Sequence, residues 1–254
     1  MDKSRLTAQL LSLFICALCI VYLGVYIHKG YSERKSVETL QKTVTSSEQD
    51  DMGEKKSKHF APNGMLNQYY DLYEQNNDMV GWIKIEGTDI NYPVMYRNDS
   101  NDYYMNRNFE GKTQASGIPF MDMECDLSKP SDNIIIYAHN MRNGTMFAPL
   151  LKYEDEKFLD EHRIINFDTL YKKGKYKIIS VFKTQVGSNH EFKYYNFINA
   201  HSAEDFENFI DGAKQLSIHD IDETAVYGDY MLTLSTCSYS RKNERFVVIA
   251  KRIF

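Results

Sequence analysis

A thiol, an imidazole and a guanidinium, each at the end of an apolar run, are the side chains of this sequence best suited to chemistry. His139 closes the run Ile134-Ile135-Ile136-Tyr137-Ala138-His139, and Cys237 closes Met231-Leu232-Thr233-Leu234-Ser235-Thr236-Cys237. Residues 238–244 are largely polar, and Arg245 then opens Phe246-Val247-Val248-Ile249-Ala250. If the last two runs pair as a hairpin, the residues flanking the connection face each other roughly 5 Å apart at Cα. Arg245 then neighbours Cys237, where a guanidinium favours the thiolate and, once sulfur has attacked a carbonyl, the developing oxyanion. His139 would carry the proton that an amine leaving group requires.

Each residue alone has an ordinary explanation. A strand-end cysteine serves as a small hydrophobe, a histidine as a satisfied polar group, and an arginine as a solvated edge charge. The combination is what points to chemistry, since of the seven histidines only His139 ends a strongly apolar run of strand type. Cys125 lies between Glu124 and Asp126, whose charges disfavour a thiolate, so Cys237 is the better nucleophile. Papain-like hydrolases place cysteine before histidine, the reverse of the order here, and the Q-A-C-x-G signature of caspases is absent. Asp99, Asn101 and Asp102, and likewise Asp122, Glu124 and Asp126, offer clustered oxygens without the calcium-loop pattern, so no metal and no cofactor is expected.

The elements that must hold these groups follow from composition and period. The chain has 254 residues, is 43% hydrophobic and 26% charged, and carries a net charge of −5, which suits a globular protein and disfavours a nucleic-acid partner. Its four cysteines are too scattered for a disulfide framework or a zinc site. Residues 6–27 are uncharged and apolar and would rise about 33 Å as a helix, enough to cross a bilayer. We read residues 1–28 as an uncleaved signal anchor rather than a cleaved signal peptide, 29–63 as a polar stalk, and 64–254 as one domain. That domain opens with a helical pattern at Met65, Leu66, Tyr69, Tyr70 and Tyr73. Short β-type runs follow at 80–85, 90–94, 133–137, 176–182, 230–234 and 246–253. A late helix is expected with Ser202 as N-cap and Phe206, Phe209, Ile210 and Ala213 on one face. Many short strands with few helices favour a barrel, antiparallel or mixed, over a doubly wound sheet.

Thr233-Leu234-Ser235-Thr236-Cys237, the arginine eight positions later, and Ile136-Tyr137-Ala138-His139-Asn140-Met141 resemble the signature of class B sortases, membrane-anchored transpeptidases of Gram-positive bacteria. The likeness continues through Val80-Gly81-Trp82-Ile83-Lys84-Ile85, Tyr92-Pro93-Val94 and Gly144-Thr145-Met146-Phe147. It implies a mainly β fold, an eight-stranded sortase-type barrel with added helices, preceded by a single-pass transmembrane helix that leaves the catalytic domain outside the cell. It also implies that Cys237 attacks the carbonyl after threonine in a C-terminal sorting motif, with His139 as acid and base and Arg245 as the substrate and oxyanion group. An amine of peptidoglycan, or alternatively a pilin lysine, would resolve the thioester. Ser235 and Thr236 match positions of the substrate groove, Asn101 and Met105 in the loop after Tyr92-Pro93-Val94 are candidates for the same groove, and residues 184–200 are a further candidate for its wall. Ala138 departs from the glycine common before the histidine in this family. The rival from another class is a membrane-tethered binding domain in which Cys237 is inert.

Overall fold

The computed structural model describes residues 3–52, 61, 64–187 and 191–254. The chain forms two compact units, Met1–Thr43 and Val44–Phe254. Helix α1, Lys3–Met52, is continuous through the position where the sequence reading divides anchor from stalk. No glycine or proline interrupts residues 31–52, and Glu, Gln, Lys and Leu are strong helix formers, so the polar segment continues the helix begun by the apolar one. Within it, Leu13–Ser47 is long and apolar enough to cross a membrane by length and composition. Residues 53–60, 62 and 63, the last part of the expected stalk, lie outside the described residues.

The second unit is built on eight strands. They are β1 (Met79–Lys84), β2 (Asn91–Met95), β3 (Phe120–Met121), β4 (Asn133–Tyr137), β5 (Ile164–Thr169), β6 (Lys175–Gln185), β7 (Met231–Cys237) and β8 (Glu244–Arg252). Around the closed barrel their order is β1-β2-β3-β4-β7-β8-β6-β5, with β5 pairing back onto β1. The β2–β3 and β4–β7 pairs are parallel and the rest antiparallel. Three helices decorate the barrel: α2 (Asn67–Gln75), α3 (Glu156–Glu161) and α4 (Ala203–Leu216).

Period-two alternation gives every central strand two distinct faces. One face of β6, β7 and β8 offers Ile179, Met231, Val247 and Ile249 to Phe206, Phe209, Ile210 and Ala213 of α4, so that face points out of the barrel beneath the helix. The alternate residues Ile134, Ile136, Leu232, Leu234, Val248 and Ala250 turn the other way and are buried inside. Both faces being covered explains the unbroken apolar runs read in the sequence. Ser202 caps α4 as expected, its hydroxyl accepting from the Asp205 backbone N–H at 3.1 Å.

Differences from the sequence reading are local. Helix α2 begins at Asn67 rather than Met65, because Leu66 is extended and its N–H donates to the Leu170 carbonyl at 2.7 Å. β3 is only two residues long and carries no readable period, while β5 shows alternating burial of Ile165 and Phe167 that was there to be read. The helix α3, capped by the Asp155 carboxylate on Lys157 N–H, was likewise not expected.

The ring of Phe206 is fully buried between the barrel and the rings of Phe197 and Tyr227. Phe206→Ala should cost about 3–5 kcal/mol of folding stability, read from chemical unfolding followed by tyrosine fluorescence.

Candidate active site

Register brings the three reactive side chains together. β7 lies between β4 and β8. In the antiparallel β7–β8 pair Cys237 stands directly opposite Arg245, so the hairpin read from the sequence is present with that pairing. In the parallel β4–β7 pair Ile135 faces Thr233 and Tyr137 faces Ser235. Two residues further along each strand are His139 and Cys237. The pairing continues in part past the end of β4, since Ala138 N–H donates to Ser235 O at 3.3 Å and the Asn140 side-chain amide donates to Cys237 O at 3.0 Å. Adjacent strands lie about 4.8 Å apart, so the thiol has the imidazole's strand on one side and the guanidinium's strand on the other.

All three groups are partly accessible at one cleft of about 300 Å³. Its lining includes His139, Cys237 and Arg245 together with Ser235, Thr236, Asn101 and Met105, the four candidates for the substrate groove. Phe120 and Tyr137, a tilted aromatic pair with ring centroids 5.7 Å apart, line it beside Met105 and Ile118. Ala138 lines the cleft as well, its carbonyl accepting from the Thr236 hydroxyl at 2.8 Å. A cleft of this size, open at the surface and mostly apolar with a few convergent polar groups, suits part of an extended peptide.

The groove residues differ in what they have left to offer. The Ser235 hydroxyl is 2.7 Å from the Tyr194 hydroxyl, and that of Thr236 is spent on Ala138, so both contribute packing surface to the floor. Asn101 accepts from Met123 N–H at 3.0 Å and donates to the Asp122 carboxylate at 3.3 Å. That same carboxylate accepts from the Tyr137 hydroxyl at 2.8 Å, which fixes the loop carrying Asn101 against β4. The Met105 side chain is exposed, and its carbonyl lies 2.9 Å from His139 Nε2. The described residues of 184–200 do not line this cleft. Phe192, Tyr194 and Phe197 of that segment pack instead with α4 behind the floor, because they carry the apolar surface that covers the outer face of the barrel.

Arg245 makes one side-chain hydrogen bond, a long one of 3.4 Å to the Glu244 carbonyl. Among the described residues no carboxylate pairs with its guanidinium. The neighbouring carboxylate of Glu244 is engaged by the Ser238 hydroxyl at 2.7 Å. Burial pushes the Tyr194 hydroxyl up to about 12, so at neutral pH it is a neutral support for Ser235. Burial also raises the Cys125 thiol to about 12, with Asp122 and Glu124 adding to it. Of the flanking acids read from the sequence, Glu124 contributes as a lesser cause behind burial, and the second charge is that of Asp122 rather than Asp126. Two supports were not singled out from the sequence, Asn140 and Tyr194. The first sits beside His139 in the quoted motif; the second had no local signal.

A family model for the Sortase domain matches residues 83–253. Sortase B of Staphylococcus aureus is 32% identical over 245 residues, covering 94% of this chain and 94% of its own length. Sortase B of Listeria monocytogenes is 31% identical over 233 residues, covering 90% and 92%. A solved Staphylococcus aureus sortase B–substrate complex superposes with a TM-score of 0.76 at 32% identity, covering 89% of this chain and 98% of that one. Sortase B from Bacillus anthracis in complex with AAEK1 gives 0.74 at 30% identity, covering 89% and 98%. With its closed eight-stranded barrel, the chain belongs to the sortase family. Within that family it is of the sortase B type, a cysteine transpeptidase.

The two cysteines of the barrel unit should separate in a labelling experiment. At pH 7.5 iodoacetamide is expected to modify Cys237, which is half-buried, and to spare buried Cys125, as read by peptide mass spectrometry. Because the folded Cys125 thiol ionises near 12, its labelling in native protein should stay negligible up to about pH 10 and appear only with unfolding.

Proposed function

We propose that this protein cleaves a C-terminal sorting motif of secreted proteins after threonine and transfers the acyl group to an amine of cell-wall peptidoglycan. The observation that carries this is the alignment of Cys237 between His139 and Arg245 along three adjacent strands. In the first half-reaction the Cys237 sulfur attacks the threonine carbonyl carbon, and Arg245, which pairs with no carboxylate among the described residues, meets the oxyanion. The C–N bond then breaks, His139 protonates the departing amine, and a thioester remains. In the second half-reaction His139 takes a proton from the incoming amine. Attack on the thioester forms the new amide, and the thiol returns.

Bound peptide would run along the cleft with Ser235 and Thr236 beneath it and Asn101 and Met105 at its side. Two relatives support the two substrates: one solved sortase B is a substrate complex, and another is complexed with triglycine, a small peptide bearing an amine. The apolar stretch of α1 supports attachment to the cell membrane by a single pass, with the barrel on the outer side.

The test uses the full chain in detergent micelles with a library of sorting-motif peptides and an amine acceptor. Transpeptidation product and a thioester at Cys237 are expected by mass spectrometry. Cys237→Ala should abolish both, and full turnover in that variant would eliminate the proposed nucleophile. Arg245→Ala should lower kcat by about 10²–10³-fold, the usual effect of deleting an oxyanion donor. His139→Ala should lower it by about 10²–10⁴-fold.

A further inference from the structure

We propose that the main-chain carbonyl of Met105 is the orienting partner of His139, and that Gly117 holds this carbonyl in place. The inference rests on the reading of His139 as acid and base, and adds what fixes its tautomer. His139 Nε2 is 2.9 Å from the Met105 oxygen. A carbonyl oxygen has only lone pairs to offer, so Nε2 carries a proton whether the ring is neutral or cationic. Nδ1 is then the nitrogen that takes the Cys237 proton and gives it to the departing amine. The ring need not turn between the two half-reactions. An imidazole protonated on Nδ1 instead would present a lone pair to the carbonyl and lose the hydrogen bond.

The carbonyl is held by more than its own turn. Met105 lies in the 3-10 turn Tyr103–Asn106, where its N–H donates to Asp102 O at 3.0 Å. A second segment backs this turn through main-chain bonds on either side, Gln114 N–H to Asn106 O at 2.9 Å and Ile118 N–H to Tyr104 O at 3.2 Å. Between those two bonds sits Gly117, with φ +57° and its N–H returned to Gln114 O at 3.0 Å. A Cβ on Gly117 would lie 2.6 Å from the Tyr104 oxygen, 2.8 Å from the Met105 carbonyl carbon, and closest of all to the Met105 oxygen. Glycine is therefore favoured by the backbone angle and required by the space, and a methyl there strikes hardest the atom that His139 uses. Gly111 offers a contrast in the same loop. Its φ is +74°, yet an added Cβ would meet only the Tyr103 hydroxyl, at 3.5 Å. Gly117 and Met105 are thus positioning residues, acting on the chemistry through His139.

The experiment takes the full chain in micelles with ¹⁵N-labelled histidine and records long-range ¹H–¹⁵N spectra above the titration of the ring. His139 should show a protonated Nε2 and a bare Nδ1; the reverse tautomer, or an even mixture, overturns the proposal. Gly117→Ala should blur that signature and lower kcat by about tenfold to a hundredfold, as small displacements of catalytic groups do. Gly111→Ala imposes comparable backbone strain and should keep both the signature and, within about twofold, the turnover. Unchanged spectra and turnover in folded Gly117→Ala would overturn the seating role, and the wild-type spectrum decides the tautomer even if that variant does not fold. Full turnover in His139→Ala would instead remove the catalytic reading beneath, a failure distinct from the wrong tautomer.

Discussion

Cys237 can meet both of its neighbours only because β7 lies between β4 and β8 in a fixed register. Side chains alternate along a strand with period two, so a slip of one residue would send Cys237 into the barrel and turn Thr236 outward. What forbids the slip is that both faces of β7 are committed. Leu232 and Leu234 are buried inside the barrel, and Met231 is buried outside it under Phe206 and Phe209 of α4. Exchanging the two sets would place threonine and serine among aliphatics and leucines against a polar ladder. The barrel is therefore the device that sets where the thiol emerges.

That ladder runs along the outer face of β4 and β7 toward the site. Asn133 donates to Phe197 O and accepts from the Thr233 hydroxyl, both at 2.8 Å. Ser235 is bonded to Tyr194, and Tyr137 to Asp122. A buried polar group left without a partner costs about 1–3 kcal/mol, so each rung favours one alignment of the parallel strands over its alternatives. The pair β4–β7 is joined by a long crossover, and no tight turn sets its register. Polar pairing does for it what the short connection does for β7 and β8. Asn140 extends the same logic beyond the end of β4, tying the loop that carries His139 to the Cys237 carbonyl.

The chemical contrast between the two cysteines of the barrel unit has the same origin. Cys125 is enclosed, and burial disfavours its charged form more than the Ile135 N–H that donates to its sulfur favours it. Cys237 stands at the end of its strand, partly exposed, beside a guanidinium that no acid pairs with among the described residues. Position separates an inert thiol, buried in the connection between β3 and β4, from a usable one at the end of β7.

Six of the eight strands and the three reactive side chains that meet at the cleft were legible in the chain itself. Continuous apolar runs ending in His139 and Cys237, and the polar connection to Arg245, mark buried strands and a hairpin because a strand covered on both faces leaves no polar alternation. Ser202 and the spacing of Phe206, Phe209, Ile210 and Ala213 marked α4 for a similarly local reason. β3 escaped, since two residues cannot display a period, and the start of α2 was shifted by a hydrogen bond to Leu170, distant in sequence. Only the tertiary structure decided that β4 and β7 are parallel neighbours, that Tyr194 props Ser235, and that Met105 turns its carbonyl to His139. Those contacts join segments tens of residues apart, and no local pattern of side chains records which distant backbone will arrive beside them.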